Sequence, residues 1–533
     1  MGLAPSAQLS LETPTVRRSG PQNLPCLQMH MNSTNTRVST GLAELDDILH
    51  GGLPPRRMYL VEGTPGTGKT TFGLQFLRDG LEKGEKVLYI TLSETVEELD
   101  EVARGHGWSL DGITLFELGE SGAAMRFDDN QSILHSWEAE LTEVVKMISA
   151  QVEATAPARI VFDSLSELRL LSQEPQRFRR QILSLKQFFA SQNVTVLLMD
   201  DMTAPNGHNL DLHSLAHGVL TMERLALDFG IARRRLQVQK LRGSAFREGF
   251  HDYAIRKGGL KVFPRLIASE HHVMFDDNPL ASGHAQLDAL LGGGPLRGTS
   301  TLITGPAGAG KTTLSLQYIA AACERGERSV VYEFDERIGT MLVRARCVGI
   351  DLQRHIDSGI LHIRQIDPSE ISPGEFTTMV RCEVRENRAR VILIDSLNGY
   401  VSAMPQEKEL VLQLHELLSF LNQQGVATFL IVPQMGLVGS MSVGTINISY
   451  IADAVILLRF FEANGRVRKA LSVIKNRGNQ HEDTIRELVV STAGIDISAP
   501  LVSFNGILTG TPTYTGAPSA LMLQEPEDEA RGR

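Results

Sequence analysis

Apolar residues fall along this chain in short runs that alternate with stretches of helical spacing, and the alternation occurs twice. In the first half, residues 58–62, 86–92, 160–162 and 194–199 are compact apolar runs of strand length. Between the last two runs, Phe178, Ile182, Leu185, Phe188 and Phe189 recur at helical intervals, predicting a helix over 176–192 with one buried face. A further helix is predicted over 69–78, directly behind the first strand, and strand-like segments lie at 235–239 and 471–474. This order predicts an α/β fold, a mostly parallel sheet flanked by helices on both faces, with a ligand at the carboxyl ends of the strands.

Each half carries the same loop behind its first strand. The first reads Gly63-Thr-Pro-Gly66-Thr67-Gly68-Lys69-Thr70, and the second Gly305-Pro-Ala-Gly308-Ala309-Gly310-Lys311-Thr312. Both fit G-x-x-x-x-G-K-[ST], whose backbone N–H groups wrap phosphates while the lysine reaches the β/γ oxygens and the hydroxyl holds Mg²⁺. Chance supplies such a match in roughly 0.02 chains of this length. Subtracting 69 from 311 gives 242, and the same shift carries Gly41 to Gly283, Asp46 to Asp288 and Gly51-Gly52 to Gly293-Gly294. The chain is therefore read as two homologous domains, 36–267 and 268–510, after a disordered lead (1–35) and before a flexible acidic tail (511–533). Met29 and Met31 are alternative start positions on this reading.

The loops are expected to bind ATP through Gly66, Thr67, Gly68, Lys69, Thr70 and Thr71, and through Gly308, Ala309, Gly310, Lys311, Thr312 and Thr313. Thr70 with Asp163, and Thr312 with Asp395, are the candidate Mg²⁺ ligands, because each aspartate ends a buried apolar strand where an idle carboxylate is costly. Glu94 behind Ser93, and the pair Asp335-Glu336, end the second strand of each half. A carboxylate there orients or deprotonates the attacking nucleophile, or else merely starts a helix. Lys240-Leu241-Arg242 and Lys475-Asn476-Arg477 lie far along the chain from their own loops. They suit neutralising phosphate charge on a neighbouring subunit's nucleotide, against the plainer reading of a solvated basic edge.

Composition narrows the class. With 533 residues, 42% hydrophobic and 21% charged, the chain is ordinary for a globular protein of more than one domain. No apolar run is long enough to span a bilayer and no signal core is visible, so a cytoplasmic protein is expected. The net charge of −10 argues against a broad nucleic-acid surface. The four cysteines stand alone, as reduced thiols do.

Taken together, the paired loops, Leu-Asp-Asp-Ile-Leu-His-Gly-Gly-Leu at 45–53, the paired acid sites and Lys-Leu-Arg-Gly at 240–243 resemble the KaiC family, double-domain RecA-type ATPases of the bacterial circadian clock. The resemblance covers about 36–510. It implies two tandem RecA-like P-loop NTPase domains, ATP and Mg²⁺ at subunit interfaces of a double-ring hexamer, a KaiB-like or other signalling partner, ATPase activity in the first ring and autokinase activity in the second. Motif match places the family's catalytic carboxylate on Ser93 and Asp335; Ser93 cannot serve as a base, and Glu94 is its substitute. The family's phosphorylated Ser-Thr pair falls on Ser449-Tyr450. Ser449 is the expected acceptor, while the Tyr450 hydroxyl stands further out than a threonine's, so an ordered two-site cycle is not expected. Two other readings remain: a nucleotide-gated scaffold without phosphotransfer, and a RecA-like DNA recombinase or helicase, against which the acidic balance counts.

Overall fold

The structure, a computed structural model, describes residues 37–118, 136–172, 174–202, 210–227, 230–402, 410–434, 450–463, 465–508 and 512–516. Ser449, the lead at 1–35 and most of the tail lie outside the described residues. Thr513–Tyr514, inside the segment read as tail, pairs with Phe504–Asn505.

The first half forms one nine-stranded sheet from β1 (Met58–Gly63), β2 (Val87–Thr91), β3 (Thr114–Glu117), β4 (Arg159–Asp163), β5 (Thr195–Asp201), β6 (Gly218–Leu225), β7 (Arg233–Leu241), β8 (Phe250–Arg256) and β9 (Gly259–Phe263), in the order β3-β2-β4-β5-β1-β6-β7-β8-β9. The first six strands in that order run parallel. From β6 onward the sheet continues as an antiparallel meander. The second half repeats this order with β10 (Ser300–Gly305), β11 (Ser329–Glu333), β12 (Leu361–Gln365), β13 (Val391–Asp395), β14 (Ala427–Pro433), β15 (Ala454–Ala463), β16 (Arg466–Asn476), β17 (Ile485–Ser491) and β18 (Gly494–Pro500). The molecule is thus two tandem, mostly parallel α/β domains of the expected kind.

The strands read as continuous apolar runs because both faces of each sheet are covered. Alternation sends Tyr59, Val61, Tyr89 and Val161 into the cluster beneath the helix Lys69–Glu82. Leu60, Ile90, Phe162 and Val196 enter the opposite cluster with Ile182, Leu185 and Phe189 of the helix Pro175–Ser191. Each such large side chain, fully buried, contributes about 1.5–3 kcal/mol. The central strand β1 lies between β5 and β6, so the phosphate loop behind it emerges at the middle of the sheet's carboxyl edge.

The meander of the first domain also docks the second. Arg233 donates to the carbonyls of Pro368 (2.9 Å) and Ile371, and the Gly374 N–H donates to Asp252 Oδ2 (2.8 Å) at the start of the helix Pro373–Arg385. Arg256 pairs with Glu375 beside them. The next residues along the same strands face the other way: the Tyr253 hydroxyl donates to the Thr67 carbonyl (2.7 Å) and Arg234 Nε to that of Gly66 (3.3 Å). Period-two alternation therefore gives the meander one face on the first phosphate loop and one on the second domain.

Candidate functional site

Both phosphate loops turn through left-handed glycines, Gly66 (φ 78°) and Gly68 (φ 92°), then Gly308 (φ 78°) and Gly310 (φ 105°). A Cβ on Gly68 would stand 2.6 Å from Ile255 Cδ1, so this turn needs glycine for space as well as for backbone angle. Gly68 and Gly310 cap the helices that begin at Lys69 and Lys311, and the free N–H groups of those first turns face the loop. Thr67 and Ala309 are fully buried beneath the loops.

Both loop lysines are folded back onto loop carbonyls. Lys69 donates to Gly63 O (2.8 Å) and forms an ion pair with Asp201 (2.7 Å), while Lys311 donates to Gly305 O and Pro306 O, each at 2.9 Å. Strand register places Pro433 where Asp201 stands, so Lys311 lacks that carboxylate, and burial lowers its pKa.

The hydroxyl–carboxylate pairs expected to hold a cation are assembled. Thr70 Oγ1 donates to Asp163 Oδ2 (3.1 Å), and Thr312 Oγ1 to Asp395 Oδ2 (2.7 Å). Burial raises both aspartates. The fully buried Tyr89 hydroxyl also donates to Asp163 (2.6 Å), whereas Val331 occupies the matching place in β11. The Thr71 hydroxyl lies 3.4 Å from His106 Nε2, and Thr71 and Thr313 are both buried.

The acid turns differ. In the first domain Thr70 Oγ1 lies 3.3 Å from Glu94 Oε1, and Glu94 Oε2 is buried with no protein partner among the described residues. Burial, and then the Asp163 carboxylate, push Glu94 up to about 7. In the second domain Ser396 donates to Asp335 Oδ2 (2.5 Å), while Glu336 pairs with Arg344 (2.8 Å). A further acid, which the motif reading passed over, is Glu333 at the end of β11. It is 1% exposed, and its Oε1 accepts the N–H groups of Asp335 (3.4 Å) and Glu336 (2.9 Å). Its Oε2 has no partner among the described residues, and burial, then Asp395, push it up to about 8. Thr91 holds the matching position and performs the same backbone task with a hydroxyl, accepting from Glu94 N at 3.0 Å. The 242-residue shift would have exposed Glu333 as a carboxylate set against threonine in an otherwise apolar strand.

The basic triplets stand elsewhere. Leu241 pairs with Gly218 at the amino end of β6, so Lys240 and Arg242 sit at the sheet edge opposite their own phosphate loop. Lys240 donates to the carbonyls of His213 and Ala216 (3.0 Å), and Arg242 to that of Ser214 (2.6 Å). Lys475 likewise donates to Ala452 O (2.5 Å), Asn476 to Leu291 O (3.4 Å), and Arg477 follows β16 at the equivalent edge. Neither triplet meets its own loop.

Each cradle thus offers N–H groups and a lysine for a polyphosphate, and a hydroxyl–carboxylate pair of hard oxygen donors. Together with the orphaned oxygens of Glu94 and Glu333, these suit Mg²⁺, which takes oxygen ligands. Among the described residues no helix is long and apolar enough to cross a membrane.

Comparison with known proteins agrees with this arrangement. The KaiC ATPase family model matches residues 38–267 and again 280–502. The circadian clock oscillator protein KaiC of Parathermosynechococcus lividus is 28% identical over 482 residues, covering 90% of this chain and 88% of the relative. Circadian clock protein KaiC3 of Synechocystis sp. is 27% identical over 489 residues, covering 90% and 95%. The oscillator protein KaiC of Synechococcus elongatus is 27% identical over 490 residues, covering 90% and 92%. Two matched repeats, each with a complete phosphate cradle on the same strand order, show that this chain belongs to the KaiC family of ATPases.

Proposed function

We propose that the chain is a hexameric, double-ring ATPase whose second domain also transfers phosphate to Ser449, serving a timing or stress-signalling output; the relatives it matches are named as circadian clock proteins. The observation that carries the kinase reading is the Ser396–Asp335 hydrogen bond beside Asp395, a serine anchor that the equivalent Ser164 does not supply to the acid turn of the first domain among the described residues. Lys69 and Lys311 would turn from their loop carbonyls to the β/γ oxygens, and Glu94 and Asp335 would receive the nucleophile's proton. In the first domain that nucleophile is water. In the second it is the Ser449 hydroxyl, whose oxygen bonds the γ-phosphorus as the bond to the β–γ bridging oxygen breaks, leaving ADP and phosphoserine. Mg²⁺, when bound with ATP at Thr70/Asp163 and Thr312/Asp395, offsets the negative charge of the phosphates. Lys240, Arg242, Lys475 and Arg477 would reach the nucleotide of a neighbouring copy, since they face away from their own loop.

A nucleotide-gated switch without phosphotransfer is the second reading, favoured by the meander that touches both the Thr67 carbonyl and the second domain. Intact-mass and phosphopeptide analysis after incubation with Mg-ATP separates the two. Phosphate on Ser449 that disappears in Lys311→Ala and in Ser449→Ala supports the kinase. ATP hydrolysis with no phosphate on any residue overturns it and leaves the switch.

A further inference from the structure

The meander strands wall each phosphate loop from outside, and the two walls differ in chemistry. In the first domain, register sets Arg224 of β6 opposite Arg234 of β7. A Cβ on Gly66 would meet Arg224 Cδ at 3.8 Å and Nη1 at 3.9 Å, so this side chain lies against the loop. Arg234 is already engaged through Nε with the Gly66 carbonyl (3.3 Å), and the Tyr253 hydroxyl with that of Thr67 (2.7 Å). Arg224 is exposed and makes no hydrogen bond or ion pair among the described residues. Like charges directly opposite on neighbouring strands repel. The next rung of the same ladder shows how such charge is normally balanced: Glu223 stands opposite Arg235 and pairs with it at 2.7 Å. Among the described residues no carboxylate pairs with Arg224 or Arg234. Two uncompensated guanidinium groups at the mouth of an anion-binding loop form a field that a polyphosphate relieves.

The second domain gives the same place an apolar face. Register puts Phe460 where Arg224 stands, opposite Lys469 in the place of Arg234. The Phe460 ring, half-buried, has its Cζ 3.8 Å from the Cβ position of Gly308. Leu488 holds the place of Tyr253, so no tyrosine hydroxyl reaches the second loop from that position. The loop backbones themselves agree, with φ 78° at both Gly66 and Gly308. What differs is the wall, which offers a free guanidinium in one domain and a phenyl ring in the other.

We infer that Arg224 is a further nucleotide-contacting residue of the first domain, reaching the terminal phosphate of a nucleoside triphosphate held in its own chain's loop. The loop N–H groups serve the inner phosphates and Lys69 the β/γ oxygens, so the outermost oxygens are left for a guanidinium at the exposed mouth. The contact comes from the same chain, unlike those proposed for Lys240 and Arg242, and the second domain has no counterpart to it. The first domain therefore discriminates triphosphate from diphosphate with a group that its sister lacks. The inference rests on reading the first loop as a nucleotide cradle and is independent of phosphotransfer to Ser449.

The test measures, by calorimetry with Mg²⁺, the binding of ADP and of a non-hydrolysable ATP analogue to full-length Lys311→Ala protein, whose second loop is disabled. The ratio of the two affinities is expected to fall about tenfold in Arg224→Phe, which installs the second domain's residue, with the loss lying in triphosphate binding. Arg224→Lys, which keeps the charge without the planar fork, is expected to recover part of that loss. An unchanged ratio in Arg224→Phe, in protein that loses both ligands when Lys69→Ala is added, overturns the assignment of Arg224 alone. Binding that survives Lys69→Ala together with Lys311→Ala overturns the cradle reading and the Arg224 contact with it. Arg224→Gln, a milder change at the same exposed position, repeats the ratio in protein whose thermal melt matches the parent, so a folding defect cannot imitate a lost contact.

Discussion

The two domains bring the same phosphate cradle to the same strand edge and surround it with different acids. In the first, carboxylates are spread over four strand ends: Glu62 on β1, Glu94 behind β2, Asp163 on β4 and Asp201 on β5. Glu62 is tied to Thr221 and His213, each at 2.9 Å, and Asp201 holds Lys69. In the second, the counterparts of Glu62 and Asp201 are Thr304 and Pro433, and the acids gather instead on neighbouring strands as Glu333, Asp335, Glu336 and Asp395. A second difference sits beneath Asp335. Ser396 anchors that carboxylate, whereas the equivalent Ser164 hydroxyl is buried with no partner among the described residues, because Ser93 offers no carboxylate to bind. Duplication kept the geometry that holds phosphate, where backbone shape leaves little freedom, and let the acids diverge, where side chains alone decide.

The largest expected effect tests which acid serves each domain. With the other domain silenced by Lys311→Ala or Lys69→Ala, Glu94→Gln and Asp335→Asn should each lower ATP turnover by about 10²–10⁴ in steady-state assays. An unaffected rate in Glu94→Gln would show that the first domain turns over without that carboxylate and would remove Glu94 from the comparison.

Acid should separate the domains next. His251 of β8 is fully buried, accepts the Arg265 N–H (2.9 Å) and lies 3.1 Å from the Arg247 carbonyl, and burial lowers it to about 4. Its folded pKa lies below the free value, so the stability it contributes is whole above pH 6.5 and is lost as pH falls through 4. That loss amounts to roughly 2–3 kcal/mol. Register places Arg486, paired with Glu482 at 2.5 Å, at the matching site of β17. Hydrogen exchange between pH 7 and 4 should therefore show the first domain opening before the second, and His251→Gln should flatten that difference.

The smallest effect concerns the serines. Removing a hydrogen bond to a charged group costs about 1.5–3 kcal/mol, so Ser396→Ala should slow the second domain roughly tenfold or more while leaving KM for ATP near its parent value. Ser164→Ala should leave the first domain's rate unchanged. Equal losses in both would mean that the serines act on the strand end and not on Asp335.

Much of this architecture was readable along the chain. The loops are contiguous, and their glycine spacing follows from backbone crowding around phosphate, so Gly66–Thr70 and Gly308–Thr312 stand out without a fold. The central strands were equally plain, since burial on both faces leaves uninterrupted apolar runs. The meander beyond β6 was visible only as two strand-like segments, at 235–239 and 471–474, because β8, β17 and their neighbours mix exposed and buried positions. Glu333 was hidden by its setting: one acid inside an apolar run carries no motif, although its oxygen holds the turn that does.

Local spacing, then, was enough to read two tandem α/β domains and the two phosphate-loop motifs, because the residues of each motif are neighbours along the chain. The partners that set each cradle's character are joined only by folding. Lys69 meets Asp201, Tyr89 meets Asp163 and Ser396 meets Asp335 across long separations in sequence. Such pairings depend on strand order and register, and a crossover sheet brings together strand ends that no periodicity in the chain connects.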